Sequence, residues 1–338
     1  MIKKNWKNLI PTVYTLVLIP LFISCDTNNC KESPDISAIK VSIEYEGLED
    51  VLRNFNNSEE ATALLARNRA LADGFLHAQE YPDDSVLGRK LYRLMNAPSI
   101  DSLFMATKST FGDFTEVMGD FRSAFRSIRY HYPHAPIPKF QSVVTGFYND
   151  LYITDTLVII GTDYFLGSQS KYRPQDIPQY LLKRYEKESV VPIVMSFISN
   201  TYNNTDNRHG DLLADMINLG KSYYFVSQVL PCTPDSLIIG YTSEEMNIAK
   251  ENEEIIWANL IQNEMLYEKS HFLKNKFVGE RPNVFEISEK CPGRIGAWVG
   301  WEIVKSYAEH NQVSLTELMG ENDAHKIFQR SQYKPRTR

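Results

Sequence analysis

Seven histidines bound the metal and proton chemistry open to this chain: His77, His131, His134, His209, His271, His310 and His325. A zinc-peptidase helix carries two imidazoles four residues apart, so that both reach one metal from one face. No two histidines here have that spacing. His131 and His134 are three apart, but they flank Pro133 beside Arg122, Arg126 and Arg129, where positive charge opposes a cation. Glu264, Glu268 and His271 make a better pattern, because Glu268-x-x-His271 is the helical step used by di-iron bundles. Such sites need a second E-x-x-H from another helix, which the chain lacks, and a solvated polar face is the plainer reading. His209 with Asp211 and Asp215 could bring an imidazole and a carboxylate near one helix face. Acids near a helix start are already expected from its dipole. There is no G-x-S-x-G elbow, Walker loop or G-x-G-x-x-G. The residue types thus assign no catalytic residue, no metal ligand and no cofactor.

Gly293, Gly296 and Gly300 lie among Arg294, Trp298 and Trp301. Glycine inside a helix costs about 1 kcal/mol relative to alanine, so this spacing marks a close approach by another backbone or by a ligand. Close helix packing is the expectation.

Cys25 offers chemistry of another kind. Lys3, Lys4 and Lys7 precede an apolar run from Leu9 to Ile23, and Ser24-Cys25 closes it, the layout of a secretion signal. The run is short for a bilayer span and contains Pro11 and Pro20. Leu21-Phe22-Ile23-Ser24-Cys25 resembles a bacterial lipobox, which implies a signal peptide over 1–24 and a lipid on Cys25. Cleavage there removes three lysines and takes the formal charge from −6 to −9. The remaining thiols are Cys30, Cys232 and Cys291. In an oxidising compartment one pair could bridge, with Cys232–Cys291 the favoured pairing, or the thiols could simply be buried.

Composition frames these residues. With 43% hydrophobic and 23% charged residues the chain is too apolar for disorder, and its acidic balance argues against nucleic acid as a partner. Residues 25–37 read as a lipidated polar tether, and 38–330 as a single α+β domain, mainly helical with a small sheet. Ile39, Val41, Ile43 and Tyr45 alternate as a strand does. Asn57-Ser58-Glu59-Glu60 starts a helix expected to run toward Glu80, and another covers 86–95. The stripe Phe114, Val117, Met118, Phe121, Phe125 and Ile128 predicts a helix ending near Tyr132. Residues 140–147 and 151–160 are expected to pair as a hairpin across Asn149-Asp150, with Leu157–Ile160 fully buried. Helices are then expected at 178–187, 189–200, 209–229, 243–269 and 294–310, with Ser314 and Glu317 capping a late short one.

The segment from Pro292 to Val304, Met216-Ile217-Asn218-Leu219-Gly220-Lys221, Leu230-Pro231, Ile239-Gly240-Tyr241-Thr242, Glu251 to Ala258 and Val191-Pro192 stand in one order. Together they resemble the gliding-motility lipoprotein family GldB of the Bacteroidetes, over most of 1–320. The resemblance implies a membrane-anchored lipoprotein of the cell envelope facing the periplasm, linked to surface motility and protein secretion. It carries over the lipid-bearing Cys25 and no catalytic residue. A fainter likeness is to zincin-like peptidases, whose metal helix would fall at Glu188–Asn200; that stretch has no histidine, and Pro192 interrupts it. The implied scaffold is a zincin-like one without its metal motif, whose groove beside the sheet edge would hold an extended peptide by strand addition. The competing classes are an envelope metallopeptidase with an atypical metal site and a small-molecule-binding lipoprotein. Ser85, Ser102, Thr156 and Ser236 each follow Asp and precede an aliphatic residue, the O-glycosylation pattern of Bacteroidetes.

Overall fold

The computed structural model of the protein describes residues 30–31, 34–206 and 210–335. The signal sequence, Cys25 and His209 lie outside the described residues. The first described elements are β1 (Tyr45–Gly47), α1 (Glu49–Arg53), α2 (Ser58–Arg67), α3 (Asp84–Met95), α4 (Pro98–Phe111) and α5 (Thr115–His131). The sheet is completed by β2 (Lys139–Val143), β3 (Leu151–Ile153) and β4 (Leu157–Gly161). Helices follow: α6 (Val190–Ser199), α7 (Leu212–Val229), α8 (Asp235–Ile239), α9 (Ser243–Glu251), α10 (Glu253–Gln262), α11 (His271–Val278), α12 (Ile295–Asn311), α13 (Leu315–Gly320) and α14 (Ala324–Ser331). The fold is α+β, mainly helical, around a small mixed sheet.

The strand order is β1-β2-β4-β3, with β1, β2 and β4 parallel and β3 antiparallel at one edge. Successive side chains on a strand point to opposite faces, and here both faces are covered. Phe140, Val158 and Ile160 join a large apolar cluster with α5, α6, α7 and α12. Val143 and Ile159 join a smaller one with α2, α3 and α4. Of the expected buried run, Val158, Ile159 and Ile160 are 0% exposed, while Leu157 at its start is half-buried. The expected hairpin across Asn149-Asp150 is not formed. The tight turn lies later, at Thr154–Thr156, where Thr154 donates to Leu157 O and accepts from Leu157 N. The chain after β2 instead leaves the sheet, because buried Asp163 accepts from Thr145 N at 3.1 Å and Phe147 N at 2.7 Å. Burial pushes the Asp163 carboxyl up to about 6, against the pull of those backbone N–H groups.

Helix limits show where local signals prevail. α2 begins as expected, with Asn57 accepting from Glu60 N, but it stops at Arg67 and a π-helical turn covers Ala70–Phe75. A Cβ on Gly74 would lie 2.3 Å from the Tyr152 ring, so this turn is shaped to receive the sheet edge. The α5 stripe is buried as predicted, with Phe121 and Ile128 at 0% exposure. α4 was not anticipated; Pro98 opens it and Gly112, at φ 62°, ends it. Residues expected as one helix over 243–269 divide at Asn252 and end by Asn263. The stretch 178–187 is a 3₁₀ helix, Gln179–Arg184. Only Tyr45–Gly47 of the first expected strand joins the sheet. Pro192 falls in the first turn of α6, where its missing N–H removes no helical hydrogen bond.

The glycine spacing in α12 is explained by packing. A Cβ on Gly220 would stand 2.4 Å from the Gly300 carbonyl, and one on Gly300 would stand 1.9 Å from Met216 O. α7 and α12 therefore cross backbone to backbone, with Trp298 and Trp301 buried beside the contact.

Candidate functional site

Because β3 is an edge strand, one side of its backbone meets no other strand. The chain pairs Asp150 O with Gly161 N and Thr154 N with Leu157 O. Antiparallel alternation then turns the N–H and C=O of Leu151 and Ile153 away from β4. A groove of about 530 Å³ opens beside this edge, walled by Leu151 and Ile153, by Ile193 and Phe197 of α6, and by the end of α8. Phe197 is 56% exposed, an unusual position for a large ring.

Arg294 closes one end of the groove. It occupies the position before α12 with φ 57°, and a Cβ on the preceding Gly293 would lie 1.8 Å from Arg281 O. The tight loop thereby aims the guanidinium inward. Its Nη1 donates to Tyr223 Oη at 2.7 Å, its Nη2 donates to Ile239 O, and its Nε stands 3.4 Å from Glu280 Oε1. Among the described residues that Nε has no hydrogen-bond partner. Arg184 Nη1 donates to the same Glu280 Oε1 at 2.6 Å, and its Nε donates to Gly240 O at 3.3 Å. Burial alone would lower the Arg294 pKa, but Tyr223 and Glu280 outweigh it and hold the pKa above its ordinary value. Burial likewise opposes ionisation of Glu280, and Arg294 with Arg184 keeps its carboxyl below the usual range. Tyr241 donates to Gly293 O at 2.6 Å. Leu151 N donates to Asp150 Oδ1 at 2.7 Å, which leaves the Ile153 backbone as the open part of the edge. The groove thus joins apolar walls and a half-buried strand edge to two guanidinium groups sharing one carboxylate. That combination suits an extended peptide with a polar or acidic residue at one end.

A second cavity, of about 390 Å³, lies at the carboxyl ends of the parallel strands, lined by Tyr45, Glu49 and Thr162. Tyr45 Oη and Ser142 Oγ are 2.8 Å apart beside it. Burial pushes the Glu49 carboxyl up.

The residues considered for metal chemistry are dispersed. Glu264 has φ 55° and precedes a 3₁₀ turn, while His271 is the first residue of α11. Glu264, Glu268 and His271 therefore share no helix face. His131 ends α5, where burial lowers its pKa, and His134 is exposed in the turn beyond. Asp211 caps α7 by accepting from Ala214 N, with its other oxygen 2.9 Å from His325 Nε2, and Asp215 pairs with Lys274 at 2.7 Å. Among the described residues no group of three or more His, Cys, Asp or Glu is placed to hold a metal ion.

The favoured cysteine pairing is corrected. Cys232 is bonded to Cys30, and Cys291 is a buried free thiol whose pKa burial pushes up to about 12. The expected tether, 25–37, is therefore fastened to the domain near its middle, at Cys30. Of the four hydroxyls in glycosylation patterns, Ser102 and Thr156 are exposed, and Ser85 and Ser236 are half-buried on helices. Sequence reasoning singled out Arg294 only as a neighbour of glycines. It missed Tyr223, Glu280 and Arg184, which are distant in the chain and carry no local signal.

Several of the segments quoted for the family resemblance contact one another, and two of them line this groove. Arg294 of the first donates to Ile239 O of the fourth, Tyr241 reaches back to Gly293, and Gly220 packs on Gly300. No curated protein and no solved structure matches the chain. The sequence model of the gliding motility protein GldB matches residues 29–335, and the chain belongs to that family.

Proposed function

We propose that this member of the gliding-motility family is an envelope lipoprotein held by acylated Cys25, with residues 38–330 acting as one domain on the periplasmic side. It works by protein contact rather than catalysis, and its groove receives an extended segment of an envelope partner along β3. The observation that carries this reading is the pairing of an edge strand, whose Ile153 N–H and C=O are turned from β4, with the Arg294–Glu280–Arg184 cluster in one groove. Strand addition supplies backbone affinity, and the cluster supplies direction and selectivity.

Photo-crosslinking side chains placed at Ile153 or Phe197 in native cells test the groove, with exposed Met105 of α4 as the control position. The expected result is the same envelope-protein adduct from both groove positions and none from Met105. Ile153→Pro, which removes an N–H directed away from β4, should abolish the adduct. Adducts indistinguishable among the three positions would take the groove out of the function. The anchor is tested separately by a palmitate analogue, which should label the wild type and not Cys25→Ala. Elemental analysis of tag-free protein tests the contact role: near one zinc, iron or manganese per chain would return the metallopeptidase reading.

A further inference from the structure

The disulfide does more than join two distant segments; it fixes where the domain meets its anchor. Cys30 is bonded to Cys232, and the next residue reinforces the bond: Lys31 N donates to Pro231 O at 2.9 Å, and Lys31 Nζ donates to Asp235 at 2.6 Å. Lys305 binds the other oxygen of Asp235 at 2.9 Å and lies 4.0 Å over the buried Trp301 ring. The staple is thus rooted in α8 and α12, not in a loose loop. Five peptide steps separate Cys25 from Cys30, a maximum reach of about 18 Å at 3.3–3.6 Å per residue. Without the disulfide and the Lys31 contacts that depend on it for register, the next residue buried in the core is Val41, 8% exposed and sixteen steps from Cys25. That would lengthen the reach to about 55 Å.

Resting on the proposed acylation of Cys25, we infer that the surface around Pro231–Pro234 is the membrane-facing pole of the domain and that its partner is the lipid bilayer. The tether is too short to let that surface turn away. The same geometry places the groove. α8 begins at Asp235, within the staple, and its last residues wall the groove. Adding the 4.0 Å between the Cα atoms of Cys30 and Cys232, about 11 Å for the three steps to Asp235 and about 7 Å for a helix of five residues, the groove wall stays within about 40 Å of Cys25. The partner segment is therefore received on a wall that α8 joins directly to the anchored surface. The α2–α4 layer, across the sheet in the smaller apolar cluster, is the pole turned away.

Full-length acylated protein in vesicles of phosphatidylethanolamine and phosphatidylglycerol tests this, using a short-range headgroup quencher. A fluorescent side chain is placed at Thr233, Phe197 or Met105, with acylation verified on each sample by palmitate-analogue labelling. Quenching should fall in that order, with Thr233 quenched at least threefold more than Met105. Two variants should bring the ratio toward one: Cys30→Ser with Cys232→Ser, and a ten-residue Gly/Ser spacer inserted after Asp26. The spacer leaves the folded residues untouched, so its effect is not one of misfolding. Equal quenching at Thr233 and Met105 in acylated wild type overturns the orientation, and so does a ratio that survives the spacer. Absence of acylation is a different result, because it removes the anchor and the orientation with it.

Discussion

Lys221, buried in α7, and Arg294, mostly buried at the position before α12, are cations beside the same helix crossing, and they are held in opposite ways. Lys221 is 0% exposed, and its Nζ donates to Met319 O at 3.1 Å and Glu321 O at 2.8 Å. Those carbonyls end α13, where the helix dipole is negative. Arg294 binds one carbonyl but otherwise depends on side chains, Tyr223 and Glu280, and it borders open space. The carbonyl partners of Lys221 cannot be exchanged for a ligand. Those of Arg294 can be, because a carboxylate or carbonyl entering the groove could share the guanidinium with Glu280. Burial of charge does not mark a site by itself; burial next to exchangeable partners does.

Removing the Lys221 side chain should have the largest effect on stability and none on the groove. Lys221→Ala leaves Glu321 O without its donor and a cavity beside α13, while Met319 O keeps the bond from Asn204 N; the cost should be about 3 kcal/mol. Urea unfolding should show that loss, while crosslinking from Ile153 in the folded fraction stays as in wild type. A loss below about 1 kcal/mol would mean that the amine is dispensable, and the contrast with Arg294 would collapse.

The two cations also differ in how they respond to pH. Burial pushes the Lys221 pKa down to about 8 from 10.5, with Glu321 pulling weakly the other way. Between those values the unfolded chain keeps the proton that the folded chain has lost, so stability rises with pH across the window. The gain is up to about 3 kcal/mol, and below pH 8 the cost of the buried charge is present in full. Lys221→Met should remove this slope when its unfolding free energy is subtracted from that of wild type. Arg294, raised rather than lowered, adds no slope in that window. Identical profiles for wild type and Lys221→Met would show that the amine is not desolvated as its burial implies.

A substitution at Arg294 should invert the pattern, with a modest effect on folding and a large one on binding. Arg294→Lys keeps a charge beside Glu280, but one ammonium cannot reach both Tyr223 Oη and Ile239 O in the geometry of a planar fork. The expected cost to stability is about 2 kcal/mol, and the groove adducts should fall at least tenfold. Unchanged adducts would assign Arg294 to packing alone and make it equivalent to Lys221.

What could be read from the chain beforehand divides along the same line between local and distant partners. The Phe121–Ile128 stripe, the buried run ending at Ile160 and the Ser314–Glu317 capping box were legible, because their causes lie within a few residues. The glycines at 296 and 300 were legible as close packing, though not that Gly220 was the partner of Gly300. The hairpin reading failed because Asp163, well beyond the Asn149-Asp150 turn signal, collects the N–H groups of residues 145 and 147. The cysteine pairing failed because Cys30 lies 202 residues from Cys232, and nothing local indicates which partner a thiol meets. The groove has the same character: Arg184, Tyr223, Glu280 and Arg294 become a group only in the folded chain.

The smallest expected effects come from the two capping boxes, one beside each cation. Thr242 caps α9 directly after Ile239-Gly240-Tyr241, the strip that Arg294 and Arg184 hold. Ser314 caps α13, whose far end receives Lys221. Each box satisfies two backbone N–H groups, so Thr242→Ala and Ser314→Ala should each cost about 1 kcal/mol in urea unfolding. The two variants should differ only in the groove. Removing the Thr242 hydroxyl releases Glu245 N, while the Glu245 carboxylate keeps Lys183 and the residue-242 N–H. The loosened cap lets the 239–241 strip shift against Arg294, so adducts from Ile153 should fall about twofold to threefold. Loosening Ser314 moves nothing that lines the groove. Equal adducts from the two variants would mean that the strip is held by Tyr241 and Arg294 alone, and the groove would then be more rigid than its open edge suggests.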